Sequence, residues 1–250
     1  MNTDLGRECS AQRFDLIYSN LRTNGFISYI YQLGRHGSQI ASHRSRFYIR
    51  AYLCASVVSN GPIMRVIAGK YRSRTLRSLK GQALRPTSDR LRETLFNILG
   101  PTVEGATFVD LYAGTGAVGI EALSRGARAA VFVEQHAPAV TLIRRNLDSL
   151  DIGSEAEIIG MEVSSGLELL EVRHVHAQFI FLDPPYAAAQ EYESALEFLG
   201  ESSVVAPGGR VIAEHLRKRK LPDRVGQLEL ARVVEQGDAA ITFYRQALAE

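Results

Sequence analysis

The sequence predicts an α/β fold of the Rossmann-like class: a doubly wound, mostly parallel sheet with a C-terminal antiparallel hairpin. A small hairpin-and-helix extension precedes it. Two observations lead to this prediction. Apolar runs alternate with amphipathic stretches from residue 107 to residue 214, which is typical of parallel strands joined by crossover helices. Between residues 228 and 246, two strand-like runs follow each other without a helix, which indicates an antiparallel addition.

The N-terminal extension is the first patterned part of the chain. Residues 65–68 and 75–79 have the composition of two short strands, and Gly69 marks a turn between them. A helix is predicted to begin near Ser88, with Ser88 or Thr87 as its N-cap, because either hydroxyl can accept a hydrogen bond from the first free backbone N–H groups. Leucines then recur at helical spacing until Gly100 ends the helix.

The body of the sheet follows from the change of period along the chain. We predict, in order, strand 107–111, helix 117–125, strand 129–134, helix 138–150, strand 156–160, helix 165–171, strand 178–183, helix 189–199, strand 209–214 and the closing strands 228–235 and 239–246.

Charge is distributed unevenly although the net charge is only +2. Residues 64–100 contain nine Lys and Arg against two acids, whereas residues 101–250 contain thirteen against twenty-two. A basic segment joined to an acidic body favours a polyanionic partner that only one region binds. A basic surface that only faces solvent is the alternative. A second basic cluster, Arg217–Lys220, follows the fifth strand, where both interpretations stay open.

Residues 1–63 differ from the rest, with seven Arg, eight Ser and no sustained period. We predict a disordered or non-native extension; a transit peptide, a nucleic-acid arm and an untrimmed upstream reading frame remain open. Both cysteines lie in this segment, so the remainder cannot form a disulfide, as expected of a cytoplasmic enzyme. The sequence suggests no membrane span, and His174 and His176 lack companions at ligand spacing, so no metal is predicted.

A glycine motif, Asp110-Leu-Tyr-Ala-Gly-Thr-Gly-Ala-Val-Gly119, joins a predicted strand to a predicted helix. Such a turn presents backbone N–H groups and a helix N-terminus to an adenosine-type ligand. The same spacing matches the dinucleotide fingerprint of nicotinamide-dependent oxidoreductases. Asp110 would repel a pyrophosphate but tolerates a positively charged sulfonium. Glu134, at the end of the next strand, can accept hydrogen bonds from ribose hydroxyls in either case.

A second motif, Asp183-Pro-Pro-Tyr186, ends the fourth apolar strand. The carboxylate of Asp183 and the carbonyl of Pro184 can accept both hydrogens of an exocyclic amine, which turns the nitrogen lone pair towards a methyl donor. Pro185 stiffens the backbone, and Tyr186 offers a face on which a flipped base can stack. Together the two motifs predict a nucleotide cofactor beside a flat, amine-bearing substrate.

Two longer stretches carry a family resemblance. Met64-Arg-Val-Ile-Ala-Gly-Lys-Tyr-Arg-Ser-Arg-Thr-Leu76 and Leu84-Arg-Pro-Thr-Ser-Asp-Arg-Leu-Arg-Glu-Thr-Leu-Phe-Asn-Ile-Leu99 resemble the N-terminal block of bacterial 16S rRNA guanine methyltransferases of the RsmD type. The glycine motif and Asp183-Pro-Pro-Tyr186 continue the resemblance, which covers about 64–246. It implies a Rossmann-like class I methyltransferase that transfers a methyl group from S-adenosylmethionine to a guanine amine, the N2 position, in 16S rRNA.

The resemblance also implies roles for individual residues. The target base would lie against Asp183, Pro184, Pro185 and Tyr186. The cofactor would lie against Asp110, Tyr112, Ala113, Gly114, Gly116 and Glu134, with Glu162 near the adenine. Glu162 is a departure, because Asp or Asn is common there in the family. Residues 64–100 would contact RNA and 101–250 would form the methyltransferase domain. The expected RNA contacts are Lys70, Arg72, Arg74, Arg77, Arg85, Arg90 and Arg92.

The expected enzyme is a cytoplasmic monomer that acts on rRNA in a partly assembled small ribosomal subunit. Three rivals remain. An adenine amino-methyltransferase acting on DNA would share the Pro-Pro motif, but a chain of this size has no evident domain for reading DNA sequence. A nicotinamide-dependent oxidoreductase would share the glycines. A non-catalytic RNA-binding protein would have no use for Asp183-Pro-Pro-Tyr186.

Overall fold

The computed structural model describes residues 64–78, 89–185 and 189–246. All of them belong to one compact unit. The predicted extension 1–63, the predicted helix cap at Ser88, and the site residues Arg85 and Tyr186 lie outside the described residues. No helix in the described part of the chain is long and apolar enough to cross a membrane.

The N-terminal hairpin is present, but its strands are shorter than predicted. β1 (Met64–Arg65) and β2 (Thr75–Leu76) are antiparallel and share two residue pairs. The turn between them closes on itself, because Ser73 N–H donates to the carbonyl of Val66 over 2.9 Å. Helix α1 (Asp89–Leu99) follows, and one turn of 3₁₀-helix ends it where the sequence has Gly100 and Pro101.

The remaining elements alternate as predicted. They are β3 (Thr107–Leu111), α2 (Ala117–Ser124), β4 (Ala129–Val133), α3 (Ala137–Ser149), β5 (Ala156–Ile159), α4 (Val163–Val172), β6 (Ala177–Leu182), α5 (Ala189–Glu201), β7 (Val205–Leu216), β8 (Arg224–Val225), β9 (Leu228–Gln236) and β10 (Ala239–Gln246). The short β8 was not predicted. It pairs antiparallel with β9.

The strands after the N-terminal hairpin form one sheet in the order β5-β4-β3-β6-β7-β10-β9-β8. β3 to β7 are mutually parallel, whereas β10 is antiparallel to both of its neighbours. The predicted mixed sheet is therefore confirmed. The chain changes direction across the sheet between β3 and β6, and open α/β sheets bind their ligands outside the carboxyl ends of the strands at such a point.

β7 is longer than predicted, because it begins at Val205 rather than near residue 209. Pro207, Gly208 and Gly209 indicate a loop in the sequence, but the structure places them within the strand. The pairing with β6 shifts register between Ala177 and Phe179 at this point. A bulge accommodates residues that regular pairing would not.

Helices cover both faces of the sheet. One core cluster packs α1, α2, α3 and the N-terminal hairpin against one face, with Leu95 and Ile143 among its buried residues. The other packs α4 and α5 against the opposite face, with Leu167 and Leu196 among its buried residues. The edge of the sheet at the carboxyl ends of the parallel strands lies between these two layers.

The hairpin is held on α2 by polar contacts as well as by apolar packing. The buried carboxylate of Glu121 accepts hydrogen bonds from Ile67 N–H at 2.8 Å and Ala68 N–H at 3.1 Å. It also accepts one from Arg125 at 2.7 Å, and the guanidinium of Arg92 lies 3.9 Å away. One α2 side chain therefore satisfies two backbone donors of the hairpin and balances buried positive charge.

Gly69 allows the hairpin to approach α2 closely. A Cβ atom at this position would lie 1.8 Å from the carbonyl oxygen of Ser124, and the φ angle of +81° also favours glycine. Lys70 N–H donates to the same carbonyl at 2.7 Å. The Ser124 hydroxyl accepts a hydrogen bond from Tyr71 N–H. The hairpin turn therefore lies at the C-terminal end of α2.

Candidate active site

The predicted site residues meet at one edge of the sheet. The glycine motif follows β3, Glu134 follows β4 and Asp183 follows β6. Leu111 and Leu182, the last residues of β3 and β6, form a parallel pair. Two motifs that are some seventy residues apart in sequence are thus on adjacent strands, at the position where the sheet topology predicts a ligand.

The glycines of the motif are required by backbone geometry and by packing. Gly114 and Gly116 have φ angles of +56° and +75°, which favour glycine. Gly116 caps the N-terminus of α2. A Cβ at Gly119 would lie 2.3 Å from the ring of Phe132 on β4, so this glycine lets α2 pack closely on the sheet. The loop therefore reaches the N-terminus of α2 with its Gly114 N–H bonded to Glu134 and its Gly116 N–H bonded to the carbonyl of Ala113.

Asp110 lies beneath this loop and is only 2% exposed. Its carboxylate accepts a hydrogen bond from Gly119 N–H at 2.9 Å. Burial raises the pKa of Asp110 to about 8; the hydrogen bond from Gly119 opposes the rise, and the nearby charge of Glu134 adds to it. In this structure the carboxylate of Asp110 stabilises the first turn of α2 by accepting this hydrogen bond.

The raised pKa of Asp110 predicts a pH dependence of stability. Because the folded-state pKa lies above the ordinary value of 3.8, the folded protein binds more protons than the unfolded chain between about pH 4 and pH 8. The free energy of unfolding should therefore fall as pH rises through this window. Asp110→Asn should make that fall shallower, as measured by urea unfolding at pH 5, 6, 7 and 8. Parallel curves for the two proteins would contradict the assignment.

Glu134 is half-buried and its two carboxylate oxygens have different partners. One oxygen accepts a hydrogen bond from Gly114 N–H at 2.9 Å, and the other accepts one from His136 N–H at 2.8 Å. The carboxylate is thus fixed against the glycine loop at the tip of β4. A carboxylate held in this way retains lone pairs that can accept hydrogen bonds from ribose hydroxyls.

Tyr112 connects the glycine loop to α5. Its φ angle is +61°, an uncommon backbone conformation for a side chain of this size. The hydroxyl donates to Glu191 near the start of α5 at 2.6 Å. Burial is the main reason that the pKa of Tyr112 lies above its ordinary value of 10.0. Uncommon backbone conformations cluster at functional sites. The hydrogen bond from Tyr112 to Glu191 connects the segment after β3 to the helix that follows β6.

On the other side of the crevice, Pro184 is buried, Asp183 is half-buried and Pro185 is exposed. Two further residues adjoin this segment that the sequence did not single out. Tyr192 donates its hydroxyl to the carbonyl of Glu214 at 2.7 Å, and the Pro184 carbonyl lies 3.4 Å from the same hydroxyl. Tyr192 thereby fixes the Pro184 segment against β7.

Glu214 is the second of these residues. It is buried and follows Ala213, which pairs with Leu182 on β6, so it occupies the position beside Asp183. An acid that interrupts an apolar run at the C-terminal end of a parallel strand was the available signal. Glu162 also lies at this edge of the sheet. It is exposed, follows the end of β5 by three residues and is the N-cap residue of α4. Among the described residues, no group of three or more potential metal ligands occurs.

The predicted RNA contacts fall into separate groups. Lys70, Arg72, Arg74, Arg77 and Arg90 are exposed. The expectation for Arg92 is corrected, because its side chain is fully buried. It donates to Asp89 at 2.8 Å and to the carbonyl of Arg65 at 2.7 Å. Arg92 fastens α1 to the hairpin inside the protein, so it cannot reach a phosphate.

The exposed cations of the hairpin turn lie away from the crevice. Lys70 is bonded at the C-terminal end of α2, and Arg74 donates to the carbonyl of Ser149 at the C-terminal end of α3. Both helices begin at the crevice, and Lys70 and Arg74 contact them at their C-terminal ends. Arg77 is closer, because the buried side chain of Asn146 pairs with its backbone and also donates to the carbonyl of Thr115 in the glycine loop.

A family model described as "Conserved hypothetical protein 95" matches residues 64–245. The match begins where the patterned sequence begins. The chain belongs to this family of RsmD-type rRNA methyltransferases.

Two relatives are named ribosomal RNA small subunit methyltransferase D. The protein from Escherichia coli K12 is 31% identical, over 73% of this chain and 90% of its own length. The protein from Haemophilus influenzae is 36% identical, over 63% of this chain and 81% of its own. The solved structure of a hypothetical protein from Thermus thermophilus is 28% identical, with a TM-score of 0.64 over 75% of this chain and 100% of that one. The family and its fold agree with the class I methyltransferase prediction.

Proposed function

We propose that this rRNA methyltransferase transfers a methyl group from S-adenosylmethionine to the N2 amine of a guanine in 16S rRNA. The observation that carries the proposal is the pairing of β3 with β6, which brings the glycine loop and Asp183-Pro-Pro185 to adjacent strand ends. The names of the two relatives support a small-subunit rRNA substrate. The choice of guanine N2 follows the resemblance of Leu84–Leu99 to the RsmD type.

The residues at the tips of β3 and β4 fit this cofactor. Gly114 and Gly116 give the loop its positive φ angles. A Cβ at Gly114 would have only the Tyr112 carbonyl oxygen within 4 Å, at 3.9 Å, whereas a Cβ at Gly116 would lie 3.2 Å from Ile143 in the core. Glu134 would accept hydrogen bonds from the ribose hydroxyls, and Glu162 would lie near the adenine. When bound, S-adenosylmethionine would supply a methyl group activated by its positively charged sulfur, and transfer of that methyl group would break the carbon–sulfur bond and leave neutral S-adenosylhomocysteine. A cation above the loop favours the ionised form of Asp110, so this acid suits a sulfonium better than a pyrophosphate.

The target side supplies orientation. A guanine amine is a weak nucleophile because its lone pair is delocalised into the ring. Asp183 and the Pro184 carbonyl can accept its two hydrogens, which directs the nitrogen lone pair towards the cofactor. The Tyr192 hydroxyl near Pro184 keeps that carbonyl in place. After the N–C bond has formed, the nitrogen is positively charged and strongly acidic, so the carboxylate of Asp183 or water can accept its proton and no strong base is needed. Orientation of this kind contributes up to roughly 7–11 kcal/mol in favourable cases.

Tritiated S-adenosylmethionine and small-subunit rRNA from a strain that lacks this methylation provide the direct test. Label should appear in a guanine of 16S rRNA, and digestion to nucleosides should identify N2-methylguanosine. The reaction is expected with partly assembled small subunits and a monomeric enzyme in the cytoplasm. Label in adenine, or in DNA only, would favour the DNA methyltransferase. A melting temperature raised by NAD but not by S-adenosylmethionine would favour the oxidoreductase.

Glu134→Ala should weaken cofactor binding at least about tenfold. A carboxylate that accepts two ribose hydroxyls forms charge-assisted hydrogen bonds of roughly 1.5–3 kcal/mol each. Isothermal titration with S-adenosylhomocysteine would measure the dissociation constant. Glu162→Ala, on the neighbouring strand end, is a useful comparison, because its exposed side chain should contribute less. An unchanged dissociation constant for Glu134→Ala would remove Glu134 from the cofactor site.

A further inference from the structure

A second positively charged surface lies at the edge of the sheet that carries the candidate active site. We name residues 217–220, Arg-Lys-Arg-Lys, the basic loop. It follows β7, which runs parallel to β6 and ends at the same edge. Arg217, Lys218 and Lys220 are exposed, whereas Arg219 is half-buried.

Backbone hydrogen bonds hold the basic loop in a defined position. Arg217 N–H donates to the carbonyl of Asp238 at 2.8 Å, and Arg219 N–H donates to the carbonyl of Leu216 at 2.8 Å. Just beyond the loop, the Tyr244 hydroxyl donates to the carbonyl of Pro222 at 2.8 Å. The exposed cations therefore project from an ordered turn, which reduces the entropy lost when they contact a ligand.

The basic loop is in contact with the support of the Pro-Pro segment. The guanidinium of Arg219 lies 4.8 Å from the centre of the Tyr192 ring, within the range of a cation–π interaction. The hydroxyl of the same tyrosine lies 3.4 Å from the Pro184 carbonyl. A single side chain thus separates the basic loop from the segment proposed to bind the target amine.

The two sides of the basic loop differ in charge, and the side that carries Arg217 and Lys218 is the better site for an anion. Glu193 and Glu197 of α5 line a groove together with Arg219 and Lys220, so that side is partly neutralised. Arg217 and Lys218 do not line this groove, and the ion pairs found among the described residues include neither of them. The exposed cations of the hairpin turn, by contrast, lie at the far ends of α2 and α3.

We propose that the basic loop, through Arg217 and Lys218, binds backbone phosphates beside the target nucleotide in single-stranded RNA. This inference rests on the proposed function, because it takes the ligand of the crevice to be an RNA base. Enzymes that bind a flipped base also contact the nucleotides that flank it, and the basic loop is a cationic segment in contact with Tyr192, which supports that pocket.

The double variant Arg217→Ala/Lys218→Ala tests the proposal, with Arg128→Ala/Arg173→Ala as a control of equal charge. The control residues lie in turns that enter β4 and β6 from the opposite edge of the sheet. Partly assembled small subunits without the methyl group serve as substrate. Affinity and kcat/KM would be measured from 50 to 200 mM salt, along with the melting temperature and the dissociation constant for S-adenosylhomocysteine.

The basic-loop variant should lose about tenfold in kcat/KM near 0.1 M salt. The slope of the logarithm of its binding constant against the logarithm of the salt concentration should be shallower by about 1.4, or ~0.7 for each phosphate contact. Its melting temperature and cofactor affinity should match those of the wild type. Wild-type behaviour of this variant, or an equal loss in the control, would overturn the inference while leaving the proposed function intact. Absence of methyl transfer by the wild-type protein would instead reject the proposed function, and the inference with it.

Discussion

Asp183→Ala is expected to lower the single-turnover rate of methyl transfer by roughly 10²- to 10⁴-fold. The carboxylate follows β6 directly, one residue beyond the pair formed by Leu111 and Leu182, and should orient the target amine. Cofactor affinity should change little, since the residues proposed to bind the cofactor lie at the ends of β3, β4 and β5 and not of β6. Rapid-quench assays with saturating rRNA substrate would measure the rate, and calorimetry would measure cofactor binding.

Two comparisons sharpen this test. Asp183→Asn retains one acceptor oxygen but introduces two competing donors, so it should keep only part of the activity. Asp148→Ala removes an exposed carboxylate from α3 and should leave the rate unchanged. If cofactor affinity fell as far as the rate did in Asp183→Ala, the role assigned to Asp183 at the target amine would be wrong.

Glu121→Ala is expected to lower the free energy of unfolding by about 3–5 kcal/mol. The substitution leaves two hairpin N–H groups without their acceptor and removes the negative charge beside the buried Arg92. It also removes the acceptor of the 2.7 Å hydrogen bond from Arg125. Removing one partner of a buried ion pair typically has this cost. Urea unfolding followed by circular dichroism would measure it.

Glu157→Ala provides a matched control for the loss of an ion pair. Glu157 and Arg173 are about half exposed, and such surface pairs contribute about 0–1 kcal/mol. The loss of unfolding free energy in Glu121→Gln should lie between those of Glu121→Ala and Glu157→Ala, because an amide oxygen can still accept a hydrogen bond from a hairpin N–H. A change of less than about 1 kcal/mol in Glu121→Ala would mean that apolar packing and the hydrogen bonds to Ser124 hold the hairpin without Glu121.

The fold was largely predictable because its signals are local. Apolar runs and helical spacing fixed the order of strands and helices, and the structure differs mainly at element ends. The exceptions were β8, which was not predicted, and β7, since Pro207 and the two glycines after it form a bulge that looks like a loop in sequence. Likewise, the meeting of Asp110, Glu134 and Asp183 at one edge follows from parallel topology, because the carboxyl ends of parallel strands lie together.

Charged side chains on the inside were harder to predict. Arg92 lies one turn before Phe96 on the buried side of α1, so the helical period contained the information. A charged residue is rarely buried without partners, and its partner Glu121 is on another helix, distant in sequence. The hydrogen bonds of Asn146 and Tyr192 depend in the same way on contacts between distant segments. The assigned roles of the site residues remain predictions until they are tested.

The pairing of β3 with β6 also bears on how donor and acceptor are aligned. Adjacent strands lie about 4.8 Å apart in any hydrogen-bonded sheet, so the spacing of the two binding segments is set by a backbone ladder instead of a hinge. Inserting one residue within Thr107–Leu111 or Ala177–Leu182 would turn the following side chains to the opposite face. Insertions and deletions should therefore be confined to the loops of this chain, because the lengths of β3 and β6 set the distance between the donor and acceptor sites.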